Sequence, residues 1–186
     1  VMYDHDINLM KKICDTAKES GVTAVILSDI AALSYARSIG LEVHMSTQTN
    51  ITNIEAVKFY SEYSDVIVLA RELTIQQIKN IVDEIEKQEI KGPSGELVKI
   101  EIFVHGALCV AISGKCYMSI ATYNSSANRG ACLQNCRRSY RLIDEETGDE
   151  LKVDNKYIMS PKDLCTIGFI DKILETGVRV LKIEGR

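Results

Sequence analysis

The chain has 186 residues, of which 46% are apolar and 26% charged, and its formal net charge is −4. That length supports one good hydrophobic core, and that balance belongs to a folded globular protein; it excludes disorder and a surface that coats nucleic acid as a whole. No apolar run approaches the roughly 18–20 residues of a membrane span, and six cysteines without a secretory signal point to a reducing, cytoplasmic setting in which clustered thiols bind metal more often than they pair.

Residues 5–20 place Ile7, Met10, Ile13, Cys14 and Ala17 at spacings of three and four, the core stripe of an amphipathic helix closed by Gly21. Cys14 on that stripe reads as a buried core thiol. Residues 22–27 (VTAVIL) have the continuous β-branched pattern of a strand buried on both faces. The strand ends in Ser28-Asp29, and a helix follows. Residues 41–45 (LEVHM) form the next strand, with His44 a structural histidine, and a polar run from Ser46 to Asn50 ends it. Asn53 or Thr52 caps the helix after that. Residues 65–70 are a third strand, ending in Arg71-Glu72, and Thr74 caps another helix.

The Gly- and Pro-bearing segment 91–96 is a turn, and residues 98–104 (VKIEIFV) make a fourth strand. After the segment this strand feeds, residues 141–154 read as a β-hairpin around Thr147-Gly148. Pro161 opens a helix that runs to Leu174, with Ser160 as its N-cap. Residues 178–183 (VRVLKI) are a fifth strand, ending in Glu184-Gly185-Arg186.

Apolar strands alternating with helices predict parallel βα units with right-handed crossovers. Both a doubly wound sheet and a barrel fit, and two features favour the barrel. Every strand ends in polar residues, as barrel sites require, and no glycine-rich phosphate loop follows any strand. The expectation is an α/β fold: a partial TIM-like (β/α) barrel of about five parallel strands with alternating helices, plus a cysteine-bearing insertion and hairpin. Residues 1–186 would be the C-terminal portion of a single barrel domain, with 106–158 the insertion. The chain opens on Val1 and stops where a strand hands over to a loop, which reads as a fragment.

The segment from Glu101 to Tyr140 concentrates the chemistry. Cys109, Cys116, Cys132 and Cys136 lie at spacings C-x6-C-x15-C-x3-C, punctuated by Gly106, Gly114 and Gly130. Three readings compete. Buried small hydrophobes are one. Zinc is the second, although its knuckles usually pair thiols two to four residues apart. An iron–sulfur cluster is the third, and it tolerates irregular spacing because each thiolate binds a different iron. Cys165 either replaces a ligand or packs on its helix.

At the strand ends, His105 is either a hydrogen-bonded structural residue or a donor and general acid–base group. Arg71, Glu72, Glu184 and Arg186 are surface charges or a fork for an anionic ligand, with Gln48 and Asn50 beside them. Arg129, Arg137, Arg138 and Arg141 form either a solvated loop or a docking surface for RNA phosphates. No G-x-S-x-G or Ser-His-Asp pattern supports a serine hydrolase.

The residues Glu101, Phe103, Gly106, Leu108, Cys109, Gly114, Cys116, Met118 and Ser119 fill every position of a signature E-x-F-x-x-G-x-[LM]-C-x4-G-x-C-x-[LIVM]-S. With HMSTQTNITN, VIVLARELT, NRGACLQNCR, SPKDLC and LKIEGR, the chain resembles the peptidase U32 (collagenase-like) family over nearly its whole length. The resemblance implies a barrel carrying a 4Fe–4S cluster on Cys109, Cys116, Cys132 and Cys136. It also implies hydroxylation of a tRNA uridine, a ribosomal RNA cytidine or a quinone ring, with prephenate as co-substrate in some members. Three functions follow as expectations. The first is an iron–sulfur RNA hydroxylation protein whose site is drawn from His105, Arg71, Glu72, Gln48 and Glu184, with Arg137 and Arg138 on the anionic partner. The second is a collagenase-like peptidase acting on a peptide substrate. The third is a non-catalytic, cluster-binding assembly partner.

Overall fold

The computed structural model of the protein describes residues 1–152 and 158–185. In chain order the elements are α1 (Ile7–Glu19), β1 (Ala24–Leu27), α2 (Ile30–Ser38), β2 (Glu42–Met45), α3 (Ile54–Ser61), β3 (Val66–Val68), α4 (Ile75–Lys87) and β4 (Lys99–Gly106). There follow α5 (Met118–Tyr123), β5 (Arg141–Ile143), β6 (Glu150–Lys152), β7 (Leu164–Cys165), α6 (Ile170–Leu174) and β8 (Val180–Glu184). They fall into two compact units, the first holding residues 1–104 and 166–183, the second 105–165 and 184–186.

The first unit is α/β. Its parallel strands run in the order β1-β2-β3-β4, and β8 pairs with β4, so each strand lies beside the next parallel strand of the chain. A doubly wound sheet reverses its order at a switch point. This one does not, and five parallel strands alternating with helices are compatible with part of a TIM-like barrel.

Local chemistry starts the helices. Asp29 accepts from the Ala31 N–H, Asn53 from Ala56 and Thr74 from Gln77, each satisfying a donor that the first helical turn leaves unpaired. At Thr74 the Gln77 side chain reaches back to complete a capping box. Gly21, at φ 70°, ends α1 with its N–H on the Lys18 carbonyl. The core lies between the helices and one face of the sheet. Ile78, Ile81, Val82 and Ile85 of α4 meet Ile67, Ile100 and Ile102 there, each fully buried side chain contributing about 1.5–3 kcal/mol. Cys14 is in this core, 3% exposed.

Three expectations need correction in this unit. Ile13 is exposed although it fits the α1 stripe, because Met10 and Cys14 already fill the contact with the core. β1 is not buried on both faces: it ends the order of strands, and Ile26 on the face away from the helices is 56% exposed. The helix expected from Pro161 starts only at Ile170. Tertiary pairing displaces its first turns, since Thr166 donates through both its N–H and its hydroxyl to the Val104 carbonyl.

In the second unit, β7 pairs antiparallel with the end of β4, His105 opposite Cys165 and Gly106 opposite Leu164. Cys165 therefore sits exposed in a strand rather than packed on a helix. The hairpin expected over 141–154 stands through residue 152, β5 against β6, around Thr147-Gly148, and residues 153 and 154 lie outside the described ones. Asp144 anchors the turn by accepting from the N–H groups of Thr147 and Glu146, which hold its carboxyl below the usual carboxylate range.

Gly106 is where β4 needs glycine. Its φ is +99°, and a Cβ there would stand 1.9 Å from the Glu184 carbonyl oxygen, the same oxygen that accepts from Ala107. Gly106→Ala is expected to cost about 2 kcal/mol or more, read as a lower urea midpoint. An unchanged midpoint would show that the backbone adapts without loss.

Candidate functional site

The four clustered cysteines all lie in the second unit. Cys109 follows β4 and Cys116 precedes α5, both half-buried; Cys132 is exposed, and Cys136 is buried in the short turn Asn135–Arg137. Hydrogen bonds tie these loops together. Cys116 N–H donates to Asn128 Oδ1 at 3.2 Å, and Leu133 N–H to the buried Ser119 hydroxyl at 3.0 Å. Asn135 Nδ2 donates to the Met118 carbonyl and to the Thr122 hydroxyl. Ser119, a signature residue, thus braces the loop of Cys132 rather than acting as a nucleophile. The helix α5 that carries it is too short for its periodicity to show in the sequence.

The thiols sense one another. Burial pushes the Cys136 thiol up, and the negative charge that Cys109, Cys132 and Cys116 can carry pushes it the same way, while Arg137 opposes them. A backbone N–H, that of Gln134, also points at Cys132 Sγ at 3.4 Å. As they stand, no three His, Cys, Asp or Glu side chains among the described residues converge closely enough to hold a metal ion. The donor set is nonetheless all thiol, grouped and supported by a backbone donor, which fits the chemistry of an iron–sulfur cluster. Such a cluster takes its four thiolates on different irons, whereas the ligands of one zinc, about 2.3 Å from the metal, must crowd together.

The arginines divide by role. Arg137 is pinned, its guanidinium donating to the Leu108 carbonyl at 3.2 Å and to Asp163 at 2.8 Å. Arg138 is exposed and lies over the Tyr123 ring, 4.8 Å from its centroid. Arg141 pairs with Glu150 across the hairpin. His105 is exposed beside Cys165, and the Glu184 carbonyl holds Ala107. Arg186 lies outside the described residues.

The other expected residues belong to the first unit, just beyond strand ends. Ser28 donates to Gln48 Oε1 at 3.1 Å, and Asn50, left-handed at φ 53°, donates from Nδ2 to the Gln48 carbonyl. Arg71 is half-buried and Glu72 exposed in the turn after β3.

On the sheet face away from the helices stands a cluster that the sequence reading misses. Glu101 of β4 is only 4% exposed. Lys182 of β8 donates to its Oε1 at 2.8 Å, and His44 Nδ1 lies 3.7 Å from Oε2. His44 Nε2 faces Glu42 at 3.5 Å, and Lys182 also lies over the Phe103 ring. Buried charge is expensive unless paired. The signal was present: a glutamate inside the apolar run VKIEIFV, on the alternation opposite to the core residues Ile100, Ile102 and Val104, and a lysine inside VRVLKI.

None of the described helices is long and apolar enough to cross a membrane. The chain is 56% identical over 186 residues to a collagenase of Porphyromonas gingivalis, which covers all of this chain and 45% of that protein. It is 36% identical over 187 residues to a 23S rRNA 5-hydroxycytidine synthase of Escherichia coli, covering 100% of this chain and 26% of that one. Against tRNA hydroxylation protein P1 of Bacillus subtilis it is 35% identical over 175 residues, 90% of this chain and 39% of the relative. The chain thus spans less than half the length of these relatives. No solved structure matches it. The model of peptidase family U32 matches residues 1–186 from end to end, and the chain belongs to that family.

Proposed function

We propose that the chain is the cluster-binding part of an iron–sulfur-dependent RNA hydroxylation protein. One observation carries the reading: Cys109, Cys116, Cys132 and Cys136 lie in one compact unit whose loops are tied together by hydrogen bonds from the Cys116 N–H to Asn128 and from the Leu133 N–H to Ser119. Cys109, Cys116, Cys132 and Cys136 would hold a 4Fe–4S cluster. When bound, such a cluster supplies one-electron transfer. The residues around it do the rest: Ser119 and Asn135 set the loops, Gln134 N–H steadies the Cys132 sulfur, and Arg138 presents charge to an anionic polymer. Relatives named for tRNA and rRNA hydroxylation support RNA as the substrate class.

Anaerobically purified protein is expected to carry iron and acid-labile sulfide in equal amounts. RNA from a strain lacking the gene is expected to lack one hydroxylated pyrimidine in nucleoside mass spectrometry, and growth with and without a prephenate supply tests that co-substrate. A colourless protein with stoichiometric zinc overturns the cluster, and an unchanged nucleoside profile overturns the RNA reading.

A second reading, a collagenase-like peptidase, is favoured by the relatives named collagenase at 56% and 50% identity. Gelatin cleavage that disappears on replacing His105, His44 or Glu184 supports it. Cleavage that survives those substitutions comes from a contaminant.

A further inference from the structure

Tyr123 ends α5 with 51% of its surface exposed. The Arg138 guanidinium lies over its ring, 4.8 Å from the centroid, and donates to its hydroxyl. The pair is fixed from behind. Asn124 closes α5 in a left-handed conformation with its N–H on the Ile120 carbonyl. Asn135 ties the neighbouring turn to α5 through the Met118 carbonyl and the Thr122 hydroxyl, and the Tyr140 hydroxyl donates to the Asn135 carbonyl at 2.6 Å. Arg137, anchored on Asp163, holds the backbone from which Arg138 projects. A surface tyrosine and arginine are thereby held in one arrangement, two residues along the chain from Cys136.

Two features of this patch say what it fits. A phenol ring and a guanidinium plane are the two protein surfaces on which unpaired bases stack, and RNA is read mainly through such splayed bases. The chain as a whole is anionic at −4, yet residues 109–138, which hold the four thiols, contain no carboxylate and expose Arg129 and Arg138 together with Tyr117 at 69% exposure, the residue after Cys116. Cation and aromatic are concentrated where the thiols are. An acidic protein partner would use the arginines but would have no need of the ring.

We propose that Tyr123 and Arg138 form a stacking platform that holds an unpaired base of single-stranded RNA beside the cysteine loops. The inference rests on the RNA reading above and names how that substrate is held. The test is binding of the intact protein to a fluorescent, mixed-sequence single-stranded RNA of about 12 nucleotides, within the span such sites cover. The same sequence as a duplex serves as the comparison.

Tyr123→Ala is expected to weaken binding about tenfold, the scale of one base–aromatic stack. Tyr123→Phe keeps the ring and should bind within about twofold of the parent on the same ground. Arg138→Ala should weaken binding and lower the slope of log affinity against log salt by about one contact's worth. Iron and sulfide content should stay at the parent level in all three variants, showing that the unit remains folded. Equal binding by Tyr123→Ala and parent, or duplex bound as tightly as single strand, overturns the platform. Failure of the parent itself to bind RNA overturns the RNA reading, and the platform with it.

Discussion

Replacing Cys136 by serine is expected to abolish cluster binding, with iron and sulfide falling by more than about tenfold, the scale on which even outer partners of metal ligands act. Cys136 is the buried member of the four and the one whose thiol the others push up. A serine hydroxyl there ionises far less readily than a thiol and cannot supply a sulfur ligand. The raised thiol also sets a sign: it must lose its proton to bind, so cluster binding should strengthen as pH rises toward the ordinary thiol range and weaken on acidification. Cys165→Ala and Cys14→Ala should leave iron and sulfide unchanged, because Cys165 is exposed on β7 and Cys14 lies in the core of the first unit. Loss of the cluster in Cys165→Ala, with Cys136→Ser still loaded, would transfer the ligand role between them.

Lys182→Ala is expected to destabilise the first unit by about 3 kcal/mol, the lower end of the cost of breaking a buried ion pair. Glu101 is 4% exposed, so removing the ammonium 2.8 Å away leaves its carboxylate with His44, at 3.7 Å, as its one charged partner among the described residues. The Lys182 side chain keeps 21% exposure, which lets some water in and sets the estimate at that lower end. Replacing both partners by apolar residues, Lys182→Met with Glu101→Leu, should restore stability to within about 1 kcal/mol of the parent, because no lone charge is left behind. Urea unfolding reads the comparison directly. Equal loss in the single and double variants would mean that packing of the lysine stem, not the charge, is what matters.

The cluster of His44, Glu101 and Lys182 also gives the first unit a polar centre on the face away from its helices. The sequence signature contains Glu101, and its position explains why a carboxylate stands there: the residue is part of a three-strand charge arrangement. His105, the more conspicuous histidine in the chain, is exposed at the edge of a strand pair instead.

How much could be read in advance depended on the range of the signal. Asn53 and Thr74 were legible as caps because each bonds an N–H three residues away, whereas the cap at Asp29 is a finding of the structure. The turn at Thr147-Gly148 was legible for the same reason. The strand Leu164–Cys165 was not, since its pairing with His105 and Gly106 comes from far along the chain and overrides a Ser-Pro helix start. Arg137 looked like a ligand for an anion, and its tie to Asp163 spans 26 residues.

The amino-acid sequence alone determined the alternation of parallel strands and helices, the helix starts at Asn53 and Thr74, and the gathering of four thiols into one glycine-punctuated segment. Periodicity, capping and composition all act within a few residues, so they survive without tertiary information. Only the tertiary structure decided the consecutive strand order, the exposure of Ile26 and Ile13, the burial of Cys136 among its fellow cysteines, and the pairing of Glu101 with Lys182. Those depend on which distant segments close on each other. Closing them costs chain entropy that only packing, strand pairing and charge neutralisation across the whole fold can offset.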